Sequence, residues 1–242
     1  MIRLFVSRPL SEGAAFQLDD KQAHYLLHVM RVKEGDAILV FNGQDGEWQA
    51  NVSAGKKQAG LKLTRQTRAQ QAEPDIWLCF APIKRGHGDT TVEKATELGA
   101  ARLLPVITER TVISRVNLER YRALATEAAE QCERLTIPEI ATPQNLDALL
   151  KDWDKNRRLL FCAETGAAQP IAKALAKIQS GPLALLVGPE GGFTESEFKL
   201  LCAREFITPV SLGRRILRAD TAALAALSLV QAHKGDWLER RG

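Results

Sequence analysis

From residue 75 onward, short apolar runs alternate with segments of helical periodicity, and this alternation constrains the fold more than any other feature. Strands that are apolar at every position, rather than at every second one, are usually covered on both faces of a sheet. Such runs separated by helices predict an α/β fold with a parallel or mostly parallel sheet. The runs are IWLCFAPI, RLLPVI, RLLFCAE, LALLVG and FITPVSLG, and the helical patterns lie near 90–98, 117–133, 145–153, 169–179, 194–204 and 219–239.

The first seventy residues have a different rhythm, with short strands and closely spaced turn signals. An apolar start at 2–6 precedes Asp19 and Asp20, which can cap a helix running through HYLLHVMR. The segments AILVF, EWQANVS and LKLT then indicate strands separated by glycine-containing turns, among them an Asn-Gly turn. This part of the chain is therefore expected to form a small β-rich module.

A polar stretch at 64–74 separates these two regions. It lacks a core pattern and ends in proline, which together predict a linker. A chain of 242 residues is long enough for two domains. We therefore expect a small β-rich domain over 1–72 and an α/β domain over 73–242.

Composition narrows the class of protein. A hydrophobic fraction of 45% and a charged fraction of 26% are typical of soluble globular proteins. No apolar run approaches the roughly 20 residues of a membrane span, and the first ten residues are too charged for a signal peptide. The cysteines are scattered without a close pair, which disfavours a disulfide framework or a zinc site. We therefore expect a cytoplasmic protein without a membrane partner.

Charge is informative only locally, because a net charge of +4 is compatible with most functions. The stretch 48–72 contains no acidic residue, and its basic residues are Lys56, Lys57, Lys62, Arg65 and Arg68. From charge alone, a solvated strand face and an RNA-facing patch explain this run equally well.

The apolar run LALLVG leads into an unusual loop, GPEGG at 188–192. In open parallel sheets ligands bind beyond the carboxyl ends of the strands, and glycines let the backbone approach a ligand closely. Thr194 followed by Glu197 predicts a capping box that begins the next helix. The loop lacks the Gly-Lys-Ser/Thr end of a P-loop, and no GxGxxG follows a predicted strand, which disfavours ordinary nucleotide enzymes. Turn geometry alone explains such a loop about equally well.

A second unusual loop, SLGRRILRADTAA, covers 211–223. Three arginines within five positions, Arg214, Arg215 and Arg218, follow a predicted strand and precede an alanine-rich helix. Capping of the following helix is a sufficient explanation for Asp220 and Thr221. Capping does not explain the apolar Ile-Leu pair that lies between the arginines. The presence of a glycine-rich loop and an arginine-rich loop at neighbouring strand ends is therefore the strongest functional signal in the sequence.

The segments LLVGPEGGFTESEF and SLGRRILRADTAALAAL resemble the two signature segments of the 16S rRNA uracil-N3 methyltransferase family, in the SPOUT class of knotted methyltransferases. The likeness covers nearly the whole chain, since other marks agree in order and spacing: His24-x6-Arg31-x3-Gly35-Asp36, EKATELG at 93–99, TER at 108–110 and EQCER at 130–134. The chain departs from the family pattern with Asp220 in place of glutamate, Glu133 in place of glycine and threonines in GHGDTTVEK.

The resemblance implies a PUA-like RNA-binding β-barrel followed by a SPOUT α/β domain with a deep trefoil knot. It also implies S-adenosylmethionine as methyl donor, bound between the loops at 186–192 and 211–222, and a homodimer that completes the site. No metal is expected. The implied substrate is N3 of one uridine in the decoding region of 16S rRNA, within the 30S ribosomal subunit.

Site residues follow from the same resemblance. Arg218 is the first candidate for contact with uracil or phosphate, and Arg134 with Glu130 the second, whereas Glu190 or Asp220 could take the N3 proton. Backbone of the glycine loops and apolar walls are expected to hold the donor. The expected donor-binding residues are Leu186, Gly188, Pro189, Glu190, Gly191, Gly192, Leu212, Gly213, Ile216, Leu217, Arg218, Thr221 and Ala222, and the expected RNA-binding residues are Arg31, Arg214 and Arg215. Apart from the resemblance, Lys84 and Arg85 precede the flexible segment Gly86-His87-Gly88 and could contact RNA phosphate, and solvated charge explains them equally well.

Two other readings stay open. One is a SPOUT methyltransferase that acts on another RNA, such as a tRNA ribose, and the full-length likeness argues against it. The other is a catalytically silent RNA-binding protein, which does not need intact glycine and arginine loops. His24 and His28, four residues apart on a predicted helix, favour packing or RNA contact over metal binding because no third ligand lies nearby.

Overall fold

The computed structural model describes residues 1–55, 58–113, 115–163 and 168–238, except for the side chain of Arg85. Packing groups the chain into two compact units. The first contains residues 1–72 and 129–137, and the second contains 73–128 and 138–242. Nothing in the sequence pattern predicts that 129–137 joins the first unit.

The first unit is built on a five-stranded sheet. Its strands are β1 (Arg3–Phe5), β2 (Ala15–Gln17), β3 (Ala37–Phe41), β4 (Glu47–Ala54) and β5 (Ala59–Arg68). Their order is β1-β3-β4-β5-β2, and only the β1–β3 pair is parallel. Helix α1 (Asp20–His24) begins at its N-cap Asp19, as predicted, and continues as a π-helical turn over Tyr25–Val29.

The linker predicted at 64–74 is wrong in its first half, because β5 continues to Arg68. Polar side chains occupy this end of the strand because β4 satisfies them. The hydroxyl of Thr64 donates to the carbonyl of Gln49 at 3.0 Å, and that of Thr67 donates to the carbonyl of Glu47 at 3.0 Å. Strand β2 was not expected from the sequence, since three residues are too few to show an alternating pattern.

A buried charge cluster explains how residues 129–137 belong to the first unit. The Arg3 guanidinium is 4% exposed, lies 2.7 Å from the Glu47 carboxylate and covers the ring of Phe41. Its remaining donors bind backbone carbonyls, of Ala129 at 2.8 Å and of Arg134 at 3.0 Å. One side chain on β1 therefore fixes the chain from 129 to 134 against the small sheet.

Glu133 occupies the left-handed backbone region, with φ of 63°. Glycine adopts this conformation freely, whereas other residues pay about 1 kcal/mol for it. The carbonyl of Glu133 accepts a hydrogen bond from Arg68 at 2.9 Å. The departure from the family pattern at this position therefore leaves a glycine-type turn in place.

The second unit is an α/β domain with a sheet whose strand pairs are all parallel. Its strands are β6 (Ile76–Phe80), β7 (Arg102–Ile107), β8 (Glu139–Ile140), β9 (Gln144–Asn145), β10 (Arg158–Cys162), β11 (Gln169–Pro170), β12 (Leu183–Val187) and β13 (Ile207–Ser211). The order is β11-β13-β10-β12-β6-β7-β8, with β9 also on β7. The helices are α2 (Arg85–Glu97), α3 (Leu118–Gln131), α4 (Leu146–Lys151), α5 (Ile171–Lys177), α6 (Glu195–Cys202) and α7 (Ala219–Lys234).

The parallel sheet predicted from the apolar runs is confirmed. The central strand β12 is buried at every position, as a strand covered on both faces must be. Helix α7 packs on α2, α5 and β12, while α4 and α6 contribute to an apolar cluster that contains Trp153 and Phe161. Strand order and register do not by themselves establish a knot, which stays a prediction. In the described parts of the chain no helix is long and apolar enough to cross a membrane.

Replacing Glu47 by glutamine is expected to lower the free energy of unfolding by about 3 kcal/mol, because buried Arg3 loses its charged partner. Burial opposes ionisation of Glu47, but hydrogen bonds from Arg68 and Arg3 outweigh it and hold the pKa of Glu47 below its usual value. The wild type should therefore lose this contribution as the pH falls below 4.5 towards the lower folded value. Urea unfolding across pH measures both effects.

Arg68→Gln is the matched control for this cluster, because the Arg68 side chain is 41% exposed. Its removal should cost about 1 kcal/mol or less. Equal stability of the wild type and Glu47→Gln at neutral pH would contradict the proposed importance of the buried pair.

Candidate functional site

A cavity of about 720 Å³ opens in the second unit where strands β6, β10, β12 and β13 end. The volume lies within the range of about 300–1,000 Å³ typical of small-ligand sites. Its described lining consists of 187–193, 210–219, Phe161, Cys162, Ala163, Lys84, His87, Arg110, Phe198 and Ala222. The parallel direction of the strands brings these separate loops to one edge.

The loop after β12 folds over an aromatic ring. A Cβ atom on Gly188 would lie 2.6 Å from the ring of Phe193, so this position accepts only glycine at such close approach. Phe193 in turn packs edge-on against Phe161, with ring centroids 4.8 Å apart. Gly192 has a φ of 66°, which glycine adopts without strain. The glycines of this loop are therefore explained by its own turn and by close packing against Phe193.

The start of α6 fixes the other end of this loop. The predicted capping box is confirmed, because Thr194 and Glu197 each accept from the other's backbone. The buried Glu197 carboxylate also accepts from the backbone N–H of Glu109 at 2.8 Å. Arg110 donates to the carbonyl of Gly191 at 2.8 Å. The TER segment after β7 thus supports the glycine-rich loop from outside.

The loop after β13 presents cations to the cavity. Gly213 begins it with φ of 114°, and its N–H donates to the hydroxyl of Ser211 at 3.2 Å. Ile216 is 82% exposed. Three exposed arginines lie in this loop: Arg214, Arg215 and Arg218. Their guanidinium groups have no hydrogen-bond or ion-pair partner among the described residues. Charged groups without protein partners are available to a ligand.

Asp220 does not cap α7, whose N-cap is Arg218 without a side-chain hydrogen bond. Its Oδ2 lies 2.7 Å from Nδ1 of His87, and its Oδ1 accepts from the N–H of Thr221 at 2.7 Å. Burial opposes ionisation of Asp220, but the bonds from His87 and Thr221 outweigh it and hold its pKa below the usual value. The carboxylate is therefore ionised at neutral pH.

The structure brings most of the predicted donor-binding residues together. Leu186 and Thr221 do not line the cavity, and Leu186 instead packs in the apolar cluster with Phe161. Those that do line it are Gly188, Pro189, Glu190, Gly191, Gly192, Leu212, Gly213, Ile216, Leu217, Arg218 and Ala222. Of the predicted RNA-binding residues, Lys84, Arg214 and Arg215 line the same cavity.

The other predicted site residues lie elsewhere. Arg31 and Arg134 belong to the first unit; Arg31 is exposed with φ of 56°, and Nε of Arg134 donates to the Thr136 hydroxyl at 3.1 Å. The Glu130 carboxylate accepts from the N–H of Phe5 at 2.9 Å. The side chain of Arg85 lies outside the described residues, as do Lys56 and Lys57.

Sequence reasoning missed His87 and Phe193 as lining residues. The Gly-His-Gly segment suggests a flexible loop, but the structure places it in the first turn of α2, which begins at Arg85 rather than near residue 90. Phe193 directly follows the glycine-rich loop, and that adjacency was an available signal. Among the residues that the structure describes, no three His, Cys, Asp or Glu side chains group as metal ligands.

Comparison with known proteins assigns families to both parts of the chain. Residues 70–231 match the RNA methyltransferase domain family, and residues 18–64 match the RNA methyltransferase PUA domain family. The chain is 33% identical to ribosomal RNA small subunit methyltransferase E of Rickettsia conorii, over 95% of this chain and 94% of that protein. It is 35% identical to the protein of the same name from Synechocystis sp., over 95% and 77% of the two chains.

Solved structures agree with these families. The crystal structure of a ribosomal RNA small subunit methyltransferase E from Neisseria gonorrhoeae, bound to S-adenosyl methionine, matches with a TM-score of 0.89. That match is 28% identical and covers 98% of this chain and 99% of the other. The expected PUA-like domain and α/β RNA methyltransferase domain are thereby confirmed. The chain belongs to the ribosomal RNA small subunit methyltransferase E family of RNA methyltransferases.

Proposed function

We propose that this protein transfers the methyl group of S-adenosylmethionine to N3 of one uridine in the decoding region of 16S rRNA, in the cytoplasm. The observation that carries the proposal is the cavity in which a glycine-rich loop and an arginine-rich loop meet at one sheet edge. The names of the relatives support small-subunit rRNA as the substrate. The donor-bound structure from Neisseria gonorrhoeae supports the choice of donor. The choice of uracil N3 rests on the sequence resemblance described above.

The residues of the cavity fit the donor. Phe193, Leu212 and Leu217 are partly exposed and supply apolar surface for an adenine ring, and the backbone of 188–192 offers polar groups at close range. Glu190 places a carboxylate at the same cavity, and this negative charge would balance the positive charge of the bound donor. When bound, S-adenosylmethionine supplies an electrophilic methyl group on a sulfonium. The task of the protein is then mainly to align donor and acceptor.

Transfer to N3 requires that the uracil lose its N3 proton. The negative charge that develops spreads to O2 and O4, and a nearby cation stabilises it. Arg218 is the first candidate for this role because its guanidinium lines the cavity and has no partner among the described residues. Arg134, the second candidate from the resemblance, belongs to the first unit and does not line the cavity. Arg214, Arg215 and Lys84 extend the positive lining and are suited to RNA phosphates.

The first unit is proposed to bind RNA. Its PUA-like family supports this role, and the acid-free stretch provides exposed cations on β5, at Lys62 and Arg65. We include Arg31 in the same surface because it is exposed and matches the family pattern. A homodimer is also part of the proposal, since Ile216 at the cavity is 82% exposed and a second chain would cover it.

The proposed reaction is tested with purified protein, labelled donor and 30S particles from a strain that lacks the modification. We expect one methyl group per particle, on N3 of a single 16S uridine, identified by mass spectrometry of nuclease fragments. A methyl group on ribose or on another base would contradict the proposal. Absence of saturable S-adenosylmethionine binding in calorimetry would favour a silent RNA-binding protein instead.

Replacing Arg218 by alanine should slow single-turnover transfer about 10²–10³-fold, because the developing anion loses its cation. Donor affinity and the unfolding temperature should stay close to the wild-type values. Arg122→Ala, which removes an exposed arginine of α3 outside the cavity, is the matched control. Wild-type single-turnover rates in Arg218→Ala would rule out this role.

A further inference from the structure

His87 is a titratable group in the cavity whose role the proposed function leaves open. Its Nδ1 lies 2.7 Å from Oδ2 of Asp220, and its side chain is 44% exposed. Among the described residues, no group forms a hydrogen bond with its Nε2. One ring nitrogen is therefore held by a carboxylate while the other is available to a ligand.

The ionisation state of Asp220 determines the tautomer of His87. Burial opposes ionisation of Asp220, but hydrogen bonds from His87 and Thr221 outweigh burial and hold the pKa of Asp220 below its usual value. The carboxylate is therefore ionised and can only accept hydrogen bonds. Nδ1 of His87 must then carry the proton in their shared hydrogen bond. In the neutral ring, Nε2 consequently bears the lone pair. This is the arrangement in which a histidine acts as a general base.

Two contacts from α3 fix the helical turn that carries His87. A Cβ on Gly88 would lie 2.9 Å from the hydroxyl of buried Tyr121, so the turn packs closely on that ring. The next residue, Asp89, accepts a bidentate bond from Arg120, at 3.0 and 2.7 Å. The backbone at His87 is thus held from α3 and its side chain from α7, which limits the movement of the imidazole.

We propose that His87 is the general base of the reaction and that Asp220 is its positioning residue. This inference rests on the proposed function. The N3–H bond of uracil breaks and its proton passes to Nε2 of His87. The N3 electron pair forms a bond to the methyl carbon of S-adenosylmethionine, while the S–C bond breaks and its electron pair returns to sulfur. The imidazolium then releases its proton to water.

Two carboxylates, that of Asp220 beside His87 and that of Glu190 in the cavity lining, are less suited to this step. Both oxygens of Asp220 are engaged, with His87 and with Thr221. Glu190 is exposed, and an ordinary carboxylate is too weak a base to compete for an imide proton at neutral pH. The other charged side chains that line the cavity are cations, and they are Lys84, Arg110, Arg214, Arg215 and Arg218. These cations favour an ionised uracil.

The test is the pH dependence of single-turnover transfer to 30S particles at saturating S-adenosylmethionine. The wild-type rate should rise with pH and then level off once the base has lost its proton. In His87→Gln only uracil that is already ionised can react. Its rate should be about 10²–10⁴-fold lower near neutral pH and should rise about tenfold per pH unit without levelling.

Asp220 variants separate positioning from packing. Asp220→Asn removes the charged acceptor and should slow transfer at least tenfold, whereas Asp220→Glu keeps the carboxylate and should recover most of the rate. Donor affinity by calorimetry should change less than threefold in all these variants. His233→Gln, at the exposed end of α7, is the matched control and should keep the wild-type rate and pH profile.

The outcomes distinguish the two levels of inference. Transfer to N3 with wild-type rate and pH profile in His87→Gln overturns the base assignment and leaves the proposed function intact. If Asp220→Glu is as slow as Asp220→Asn while His87→Gln is defective, only the positioning role of Asp220 is overturned. If the wild type methylates a position other than N3, the proposed function fails, and the base assignment fails with it.

Discussion

The common direction of the strands in the second unit is the constraint on which its chemistry depends. Strands β6, β7, β10, β12 and β13 are separated in sequence by helices, yet all end at the same edge. Five loops therefore meet without any one of them having to be long. Each contributes a different property: backbone and aromatic surface after β12, cations after β13, and support after β7. A sheet with antiparallel neighbours would divide these loops between two edges.

Much of this arrangement was predictable from residue patterns. The apolar runs specify strands covered on both faces, and glycine and arginine clusters directly after two of them mark the ligand edge. The capping box was predictable because Thr194 and Glu197 lie three residues apart and need only one helical turn to meet. These features depend on short-range geometry, which a sequence displays directly. The proposed methylation site, uracil N3, rests on family resemblance alone.

The contacts that sequence patterns did not reveal join residues far apart in the chain. Arg3 is paired with Glu47, and His87 with Asp220, across 44 and 133 positions. An arginine in a three-residue strand looks like a surface residue, since nothing nearby shows that a carboxylate and three carbonyls will enclose it. Likewise, the glycines beside His87 suggest a loop, whereas the structure places them in a helix in which Gly88 packs closely on the hydroxyl of Tyr121. Long-range pairing of this kind requires the assembled fold.

Arg3 donates hydrogen bonds to the carbonyls of Ala129 and Arg134, and these contacts constrain how such a protein can evolve. The first unit is completed by nine residues, 129–137, that follow residues 73–128 of the second unit in the sequence, and buried Phe41 packs against Ala129 and Leu135 within them. Genetic exchange at one breakpoint near residue 72 would deliver the small sheet without its covering segment. The first unit therefore cannot be exchanged whole through a single breakpoint.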